Sequence, residues 1–304
     1  MRILIAGASG AIGRPLVRRL RAAQHQVFGL VSSRDSIPVL EDLGAEPVLA
    51  DAVDAAAVRS VVARVRPEAI INQLTALPRH YTPAAMKNAT ERNREVRIQG
   101  NAHLLSAMGE LGVRRYLLQS ASFWYAPGPG LAAECDSFIS SASPWIARGA
   151  QVYGELELRA AGTPGIEFVA LRYGFFYGPG TWYSRQGDMG DQVRKQQVPL
   201  IGEGQGVYSF VHLEDAAQAT AAALECSPGA YNIVDDDPSP QHQWLTAFAR
   251  AADAPAPPRI SEEEALRMLG PDAVYYATRL RGASNEKARR ELGLRPRPLE
   301  WCKS

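Results

Sequence analysis

Lysine is almost missing from this chain: four lysines stand against 29 arginines in 304 residues. We read that imbalance as a genome-level bias and not as a binding surface. Neither sign of charge dominates either, with 33 basic and 32 acidic residues and a net charge of +1. A balanced surface argues against nucleic acid as the main partner, because binding phosphate needs a basic one. Cysteine is scarce: Cys135, Cys226 and Cys302 are all there is. An odd number without paired spacing suits a reducing, cytoplasmic setting, and the lack of any C-x-x-C speaks against a zinc or redox motif. No set of His, Cys and Asp has metal-ligand spacing, so no metal is expected. No apolar run approaches the ~18 residues of a membrane span, so no membrane partner is expected. A first strand expected from Arg2 leaves no room for a secretory leader. No internal repeat is visible.

What is present is an alternation. M-R-I-L-I-A at Met1–Ala6 is the short apolar run of a buried parallel strand. Further strands are expected at Val27–Val31, Glu46–Leu49, Ala69–Asn72, Tyr116–Gln119, Phe168–Leu171 and Tyr231–Val234. Helical stretches fall between them at Ile37–Leu43, Ala55–Val65 and Ala84–Leu111. In the last of these, Met86, Ala89, Val96, Gly100, Leu104 and Ala107 form one buried stripe, and Glu91, Arg92, Arg94, Glu95 and Arg97 the outward face. Strands alternating with helices predict an α/β fold: a Rossmann-type, doubly wound parallel sheet covered on both faces. After Arg172 the texture changes, with Gly178, Pro179 and Gly180 clustered and aromatics thickening. The expected division is a dinucleotide-binding domain over 1–174, with contributions from 208–236, and a smaller, substrate-binding C-terminal lobe over 175–304.

Gly7-Ala8-Ser9-Gly10-Ala11-Ile12-Gly13 joins the first strand to the first helix. Glycines at these three positions permit a tight turn, close backbone approach and close helix packing, while the helix N-terminus faces a pyrophosphate. A purely structural turn is the bland alternative, but the strand–turn–helix context favours a dinucleotide. The second strand ends in Val31-Ser32-Ser33-Arg34 without the Asp or Glu that holds a ribose 2′-hydroxyl. Two hydroxyls and a guanidinium suit a 2′-phosphate, so NADP(H) is the expected cofactor, with Arg14 a helper. The alternative for Arg34 is a solvated loop cation.

With these motifs the chain resembles the short-chain dehydrogenase/reductase superfamily, and is closer to its extended, epimerase/dehydratase-like branch. Supporting segments run along its whole length: Asp51-Ala52, Gln73-Leu74-Thr75-Ala76, Leu171-Arg172-Tyr173-Gly174, Tyr177-Gly178-Pro179-Gly180, Phe210-Val211-His212 with Asp215, Tyr231-Asn232-Ile233, and Asn285 through Gly293. The resemblance implies cofactor contacts at Asp51, Ala52, Leu74, Thr75, Ala76, Tyr173 and Gly174, beside Gly7, Ser9, Gly10, Ala11, Ile12 and Gly13. It implies a structural role for His212.

The catalytic centre departs from the family's pattern. The family uses a Tyr as general acid with a Lys four residues later. Here Tyr153 is followed four later by Glu157, and a carboxylate raises a Tyr pKa instead of lowering it. Tyr153 also stands 19 residues before Arg172, where the family's interval is roughly 25. If Glu157 is the family's later helix Glu, the Tyr slot falls near Gly149 and the Lys slot near Tyr153. The hydroxyl position is better kept: Ser120 and Ser122 end the fifth strand and are the candidate catalytic residues, with backbone capping as the alternative.

Trp124, Tyr125, Phe175, Phe176 and Trp182 follow strand ends and are the candidate substrate contacts, suited to a flat, largely apolar ligand. The alternative is aromatic filling of a core. The leading reading is an NADPH-dependent ketoreductase acting on a bulky aromatic or polyketide-like small molecule, its proton supplied by substrate or water. Two alternatives stand beside it: a nucleotide-sugar epimerase or dehydratase, and an NADP-sensing protein without turnover. The charged outer face of the long helix predicts a monomer or at most a weak homodimer.

Overall fold

The computed structural model describes residues 1–78, 80 and 83–301; Cys302 lies outside the described residues. Its first part alternates as the apolar runs demand. The strands are β1 (Arg2–Ala6), β2 (Gln26–Val31), β3 (Glu46–Leu49), β4 (Ala69–Asn72), β5 (Arg115–Ala121) and β6 (Glu167–Tyr173). Helices α1 (Gly13–Ala22), α2 (Ile37–Asp42), α3 (Ala55–Val65), α4 (Pro83–Leu111) and α5 (Pro144–Ala161) connect them. Short pieces follow: β7 (Phe175–Tyr177), α6 (Asp188–Arg194), β8 (Leu200–Ile201), β9 (Val207–Tyr208), β10 (Phe210–His212) and α7 (Leu213–Ala222). Next come β11 (Gly229–Ile233), β12 (Ser239–Pro240) and α8 (Gln241–Ala251). The chain then forms β13 (Arg259–Ile260), α9 (Glu262–Met268), α10 (Pro271–Thr278) and α11 (Glu286–Leu292).

The main sheet has seven strands in the order β11-β6-β5-β4-β1-β2-β3. Parallel pairing sets Ile5 of β1 opposite Gly29 of β2 on one side and Ile71 of β4 on the other. Ile3, Leu4, Ile5, Ile70 and Ile71 are all fully buried. That is why these strands read as continuous apolar runs: helices cover both faces. The order also creates a switch point. From β1 the chain goes to β2 and β3 on one side, then returns to β4 on the other, leaving a crevice at the carboxyl ends of β1 and β4.

Two compact units divide the chain, one of residues 1–120, 154–171 and 216–230, the other of residues 121–153, 172–215 and 231–304. Each unit draws on three separate stretches of the chain. The core of the second is aromatic, built from Trp124, Tyr177, Tyr183, Tyr208, Phe210, Trp244, Phe248 and Trp301.

Helix α4 corrects one expectation. Arg97, assigned to the outward face, is only 7% exposed. Its i+3, i+4 and i+7 neighbours are Gly100, Asn101 and Leu104, all buried, so helical geometry places it on the covered side.

Candidate functional site

In the first unit the three loop glycines separate into two kinds. Gly7 adopts φ +86°, and a Cβ there would lie 2.5 Å from the Gln73 carbonyl oxygen. A Cβ on Gly13 would lie 2.4 Å from the Ala8 carbonyl oxygen. Both are glycine because main chain occupies the space. Gly10 is exposed, and a Cβ there meets nothing but the Gly7 carbonyl oxygen at 3.2 Å. Its bare Cα faces outward.

Around Gly10 the donors are free. Among the described residues the N–H groups of Ala11 and Ile12 make no hydrogen bond. Helix α1 begins at Ile12 with no side-chain cap and no acidic residue in its first turn. Helix α3, by contrast, is capped by the Asp54 carboxylate, which accepts from Ala57 N–H at 3.0 Å. An uncapped N-terminus beside an exposed glycine fits an anion: it offers unpaired donors and the positive end of the helix dipole. Ser9 lies in the same turn, where its carbonyl accepts from Arg14 Nε at 2.8 Å.

The neighbouring strand ends complete the cradle. Gly7 N–H donates to the Leu30 carbonyl at 3.3 Å, which ties the loop to β2. Beyond β2, Ser32, Ser33 and Arg34 are exposed. Ser33 Oγ accepts from Asp35 N–H at 3.2 Å, and the Arg34 side chain has no hydrogen bond or ion pair among the described residues. After β3, Asp51 accepts from Val53 N–H at 3.1 Å and from Arg92 Nη2 at 2.9 Å, while Ala52 is buried. After β4, Leu74 N–H donates to Asn72 Oδ1 at 3.0 Å and Ala76 N–H to Asn93 Oδ1 at 2.9 Å; Thr75 between them is exposed. The residues present therefore fit a dinucleotide, with the Gly10 turn for its pyrophosphate.

Ser120 also belongs to this unit. It is 2% exposed and donates to Glu157 Oε1 at 2.5 Å. Glu157 thus holds the hydroxyl proton of one candidate catalytic serine.

The second unit holds the other candidates. Ser122 N–H donates to the Tyr173 carbonyl at 2.9 Å, and its own Oγ is buried without a partner among the described residues. Tyr173 is 1% exposed. Gly174 donates to the Ile233 carbonyl at 3.1 Å, and a Cβ on it would lie 2.4 Å from the Ser209 carbonyl oxygen. Trp124 lies against helix α5 at Gly149, the family's Tyr slot if Glu157 is its later helix Glu. A Cβ on Gly149 would meet its indole ring at 2.5 Å, so this Trp occupies the space that a side chain at 149 requires. The ring also sits 5.5 Å from that of Tyr153. Phe175 stacks on Phe123 at 4.6 Å, Phe176 lies beside Tyr173 at 5.1 Å, and Trp182 beside Tyr183 at 5.4 Å.

Tyr125 departs from expectation. Expected at the substrate, it is 1% exposed. Its hydroxyl donates to Asn232 Oδ1 at 2.6 Å and accepts from Arg172 Nη1 at 2.8 Å, so it is consumed in a buried network. His212 Nδ1 accepts from Glu214 N–H at 3.1 Å, and burial lowers its pKa, which suits a neutral, structural imidazole at the start of α7.

A family model for the NAD-dependent epimerase/dehydratase family matches residues 3–234. This chain belongs to that family. It is accordingly an NAD(P)-dependent oxidoreductase with a Rossmann-like fold. A 3-diazoavenalumate denitrifying reductase of Streptomyces sp is 38% identical to it, over 99% of this chain and 98% of that protein. A 2-alkyl-3-oxoalkanoate reductase of Stenotrophomonas maltophilia is 25% identical over 84% of this chain and 77% of its own. Among solved structures, the UDP-glucose 4-epimerase of Thermus thermophilus in complex with NAD superposes with a TM-score of 0.74 at 24% identity, covering 99% of this chain and 96% of that one. Among the described residues of this oxidoreductase, no helix is long and apolar enough to cross a membrane.

Sequence reasoning did not find three features of this family member: Glu157 as the partner of Ser120, the Trp124 ring over Gly149, and Tyr276, whose hydroxyl accepts from Trp124 Nε1 at 3.0 Å. The glycine at 149 was a signal for the second. Nothing local signals the third.

Proposed function

We propose that this protein is an NADPH-dependent reductase of a flat aromatic acid bearing a diazo group, which it replaces by hydrogen. The observation that carries the reading is on helix α5. Glu157, four residues after Tyr153 where the family carries an activating Lys, accepts from Ser120. A usual carbonyl reduction needs a proton as well as a hydride, and the family's usual means of delivering that proton is missing here. When bound, the reduced nicotinamide supplies a hydride; on a ring-borne diazonium a C–H bond replaces the C–N bond, N₂ leaves with the C–N electron pair, and no proton is consumed. Full-length likeness to the diazo-acid reductase supports the same reading.

The chain's own residues bind and orient. The Gly10 turn and the α1 N-terminus hold the pyrophosphate, Ser32, Ser33 and Arg34 the 2′-phosphate, and Leu74, Thr75 and Ala76 the nicotinamide end. Phe123, Phe175 and Trp182, all half-buried, offer aromatic faces to a planar ring.

A second reading, reduction of a ketone on an aromatic substrate, is favoured by the likeness to the 2-alkyl-3-oxoalkanoate reductase. Its proton would come from a phenol on the substrate or from water. One experiment separates the two. Purified protein is incubated with para-carboxybenzenediazonium or an aryl ketone and NADPH deuterated at the transferring carbon, with the Gly10→Val protein as control for uncatalysed reduction. The proposal expects deuterium on the ring carbon that carried nitrogen. Deuterium on the carbinol carbon of the ketone, with the diazonium unchanged beyond control, would replace the first reading by the second.

A further inference from the structure

One hydroxyl in the second unit stands ready to meet a ligand and has no part in the reading above. Tyr276 comes from α10, far along the chain from the other aromatics. Its oxygen accepts a hydrogen bond from Trp124 Nε1 at 3.0 Å. Trp124 itself is immobilised: it is 6% exposed and pressed on Gly149 at a distance that admits no Cβ there. A tyrosine hydroxyl carries one proton and two lone pairs. With one lone pair engaged by the indole, its proton remains to be donated.

The ring that carries this hydroxyl adjoins the half-buried aromatic faces. Tyr276 meets Phe175 edge to face at 6.1 Å, and Phe175 stacks on Phe123 at 4.6 Å. Phe123, Phe175 and Tyr276 are all half-buried, whereas Tyr183 and Tyr208 beside them are 6% and 5% exposed. Of these three tyrosines, Tyr276 is the one that is not fully buried as a residue. Burial raises the pKa of Tyr276 well above the tyrosine range, so the group stays a neutral donor through physiological pH. The Asp272 carboxylate adds to that rise. That setting suits an uncharged oxygen on the ligand and repels a carboxylate.

We propose that Tyr276, held in place by the Trp124 indole, donates a hydrogen bond to a hydroxyl oxygen on the substrate's aromatic ring and so selects phenolic rings over their ethers. The proposal rests on the reductase reading for the identity of the substrate ring, and its test requires no turnover. The probes are 1-naphthol and 1-methoxynaphthalene, neither of which has a reducible group, titrated calorimetrically into the full-length protein with NADPH present. The unaltered protein is expected to bind the naphthol at least fivefold more tightly. Tyr276→Phe should keep the affinity for the ether and lose the preference, and Trp124→Phe, which removes the indole N–H together with its five-membered ring, should reduce the preference at least twofold. Far-ultraviolet dichroism and melting temperature report whether each variant is folded; should Tyr276→Phe not fold, Trp124→Phe carries the test. A preference that survives in a folded Tyr276→Phe or Trp124→Phe protein, or no binding of either probe by the unaltered protein, would overturn the assignment while leaving the deuterium experiment unaffected.

Discussion

The loop glycines make a prediction in which steric distances decide whether a substitution harms the fold or the ligand. At Gly10, φ is not positive, so any residue adopts the backbone there. A Cβ meets one oxygen at 3.2 Å, and the position is exposed. Gly10→Val should therefore change stability by less than about 1 kcal/mol, as for surface sites without special geometry. A branched side chain, however, takes up space in the turn that carries the unpaired N–H groups of Ala11 and Ile12. Losing two hydrogen bonds to a charged phosphate, at about 1.5–3 kcal/mol each, weakens NADPH binding by roughly 3–6 kcal/mol, or about 10²–10⁴-fold in Kd. Gly13→Ala behaves oppositely. Its Cβ meets three main-chain atoms at 2.4, 2.5 and 2.6 Å, none of which has a rotamer to escape into. Overpacking against backbone costs about 1–3 kcal/mol, or a melting temperature roughly 2–12 °C lower at about 2–4 °C per kcal/mol. Titration by NADPH fluorescence and thermal unfolding of both variants make the comparison. A Gly10→Val protein that binds NADPH with unaltered affinity would refute the placement of the pyrophosphate.

Three further outcomes follow from the same structure. Arg34→Ala should lower the preference for NADPH over NADH by about 10–100-fold, the size of one charged hydrogen bond, as read from paired calorimetric titrations; an unchanged ratio would remove Arg34 from the 2′-phosphate. Ser120→Ala removes the donor to the buried Glu157 carboxylate and should cost about 1.5–3 kcal/mol in denaturant unfolding; no loss would mean that the pair contributes nothing to the fold. Asp235 is 2% exposed, and desolvation pushes its pKa up to about 8, with Oδ2 unpartnered. Because the folded value lies above the unfolded one, the folded state holds the extra proton between about pH 4 and 8, and stability falls as pH rises through that window. Asp235→Asn should accordingly raise the melting temperature more at pH 8 than at pH 5, and an equal change at both would contradict the protonated carboxyl.

Much of the architecture is local and could be read from the chain alone. Ala69–Asn72 and Glu46–Leu49 are strands with the bounds their apolar runs predict, and Ala55–Val65 is the expected helix. A strand buried on both faces must be apolar throughout, and an amphipathic helix must repeat every turn, so these signals lie within a few residues of one another. The glycine turn is equally local: its spacing and its place between strand and helix announce an anion-binding loop before any coordinate is known. The sequence likewise determined that Glu157, and not a Lys, stands four residues after Tyr153. Tertiary structure decided what it meets. Ser120 and Glu157 are 37 residues apart, Tyr125 and Asn232 107, and Trp124 and Tyr276 152. Arg97 is buried although its charge marked it for solvent, and Tyr125 is locked in a network although its position marked it for substrate. Residue type and spacing record propensity and period, which act along the chain. Which distant side chain fills a gap or takes a proton depends on packing, where one absent side chain, as at Gly149, admits an indole from another segment and redirects its N–H to a hydroxyl that no local pattern contains.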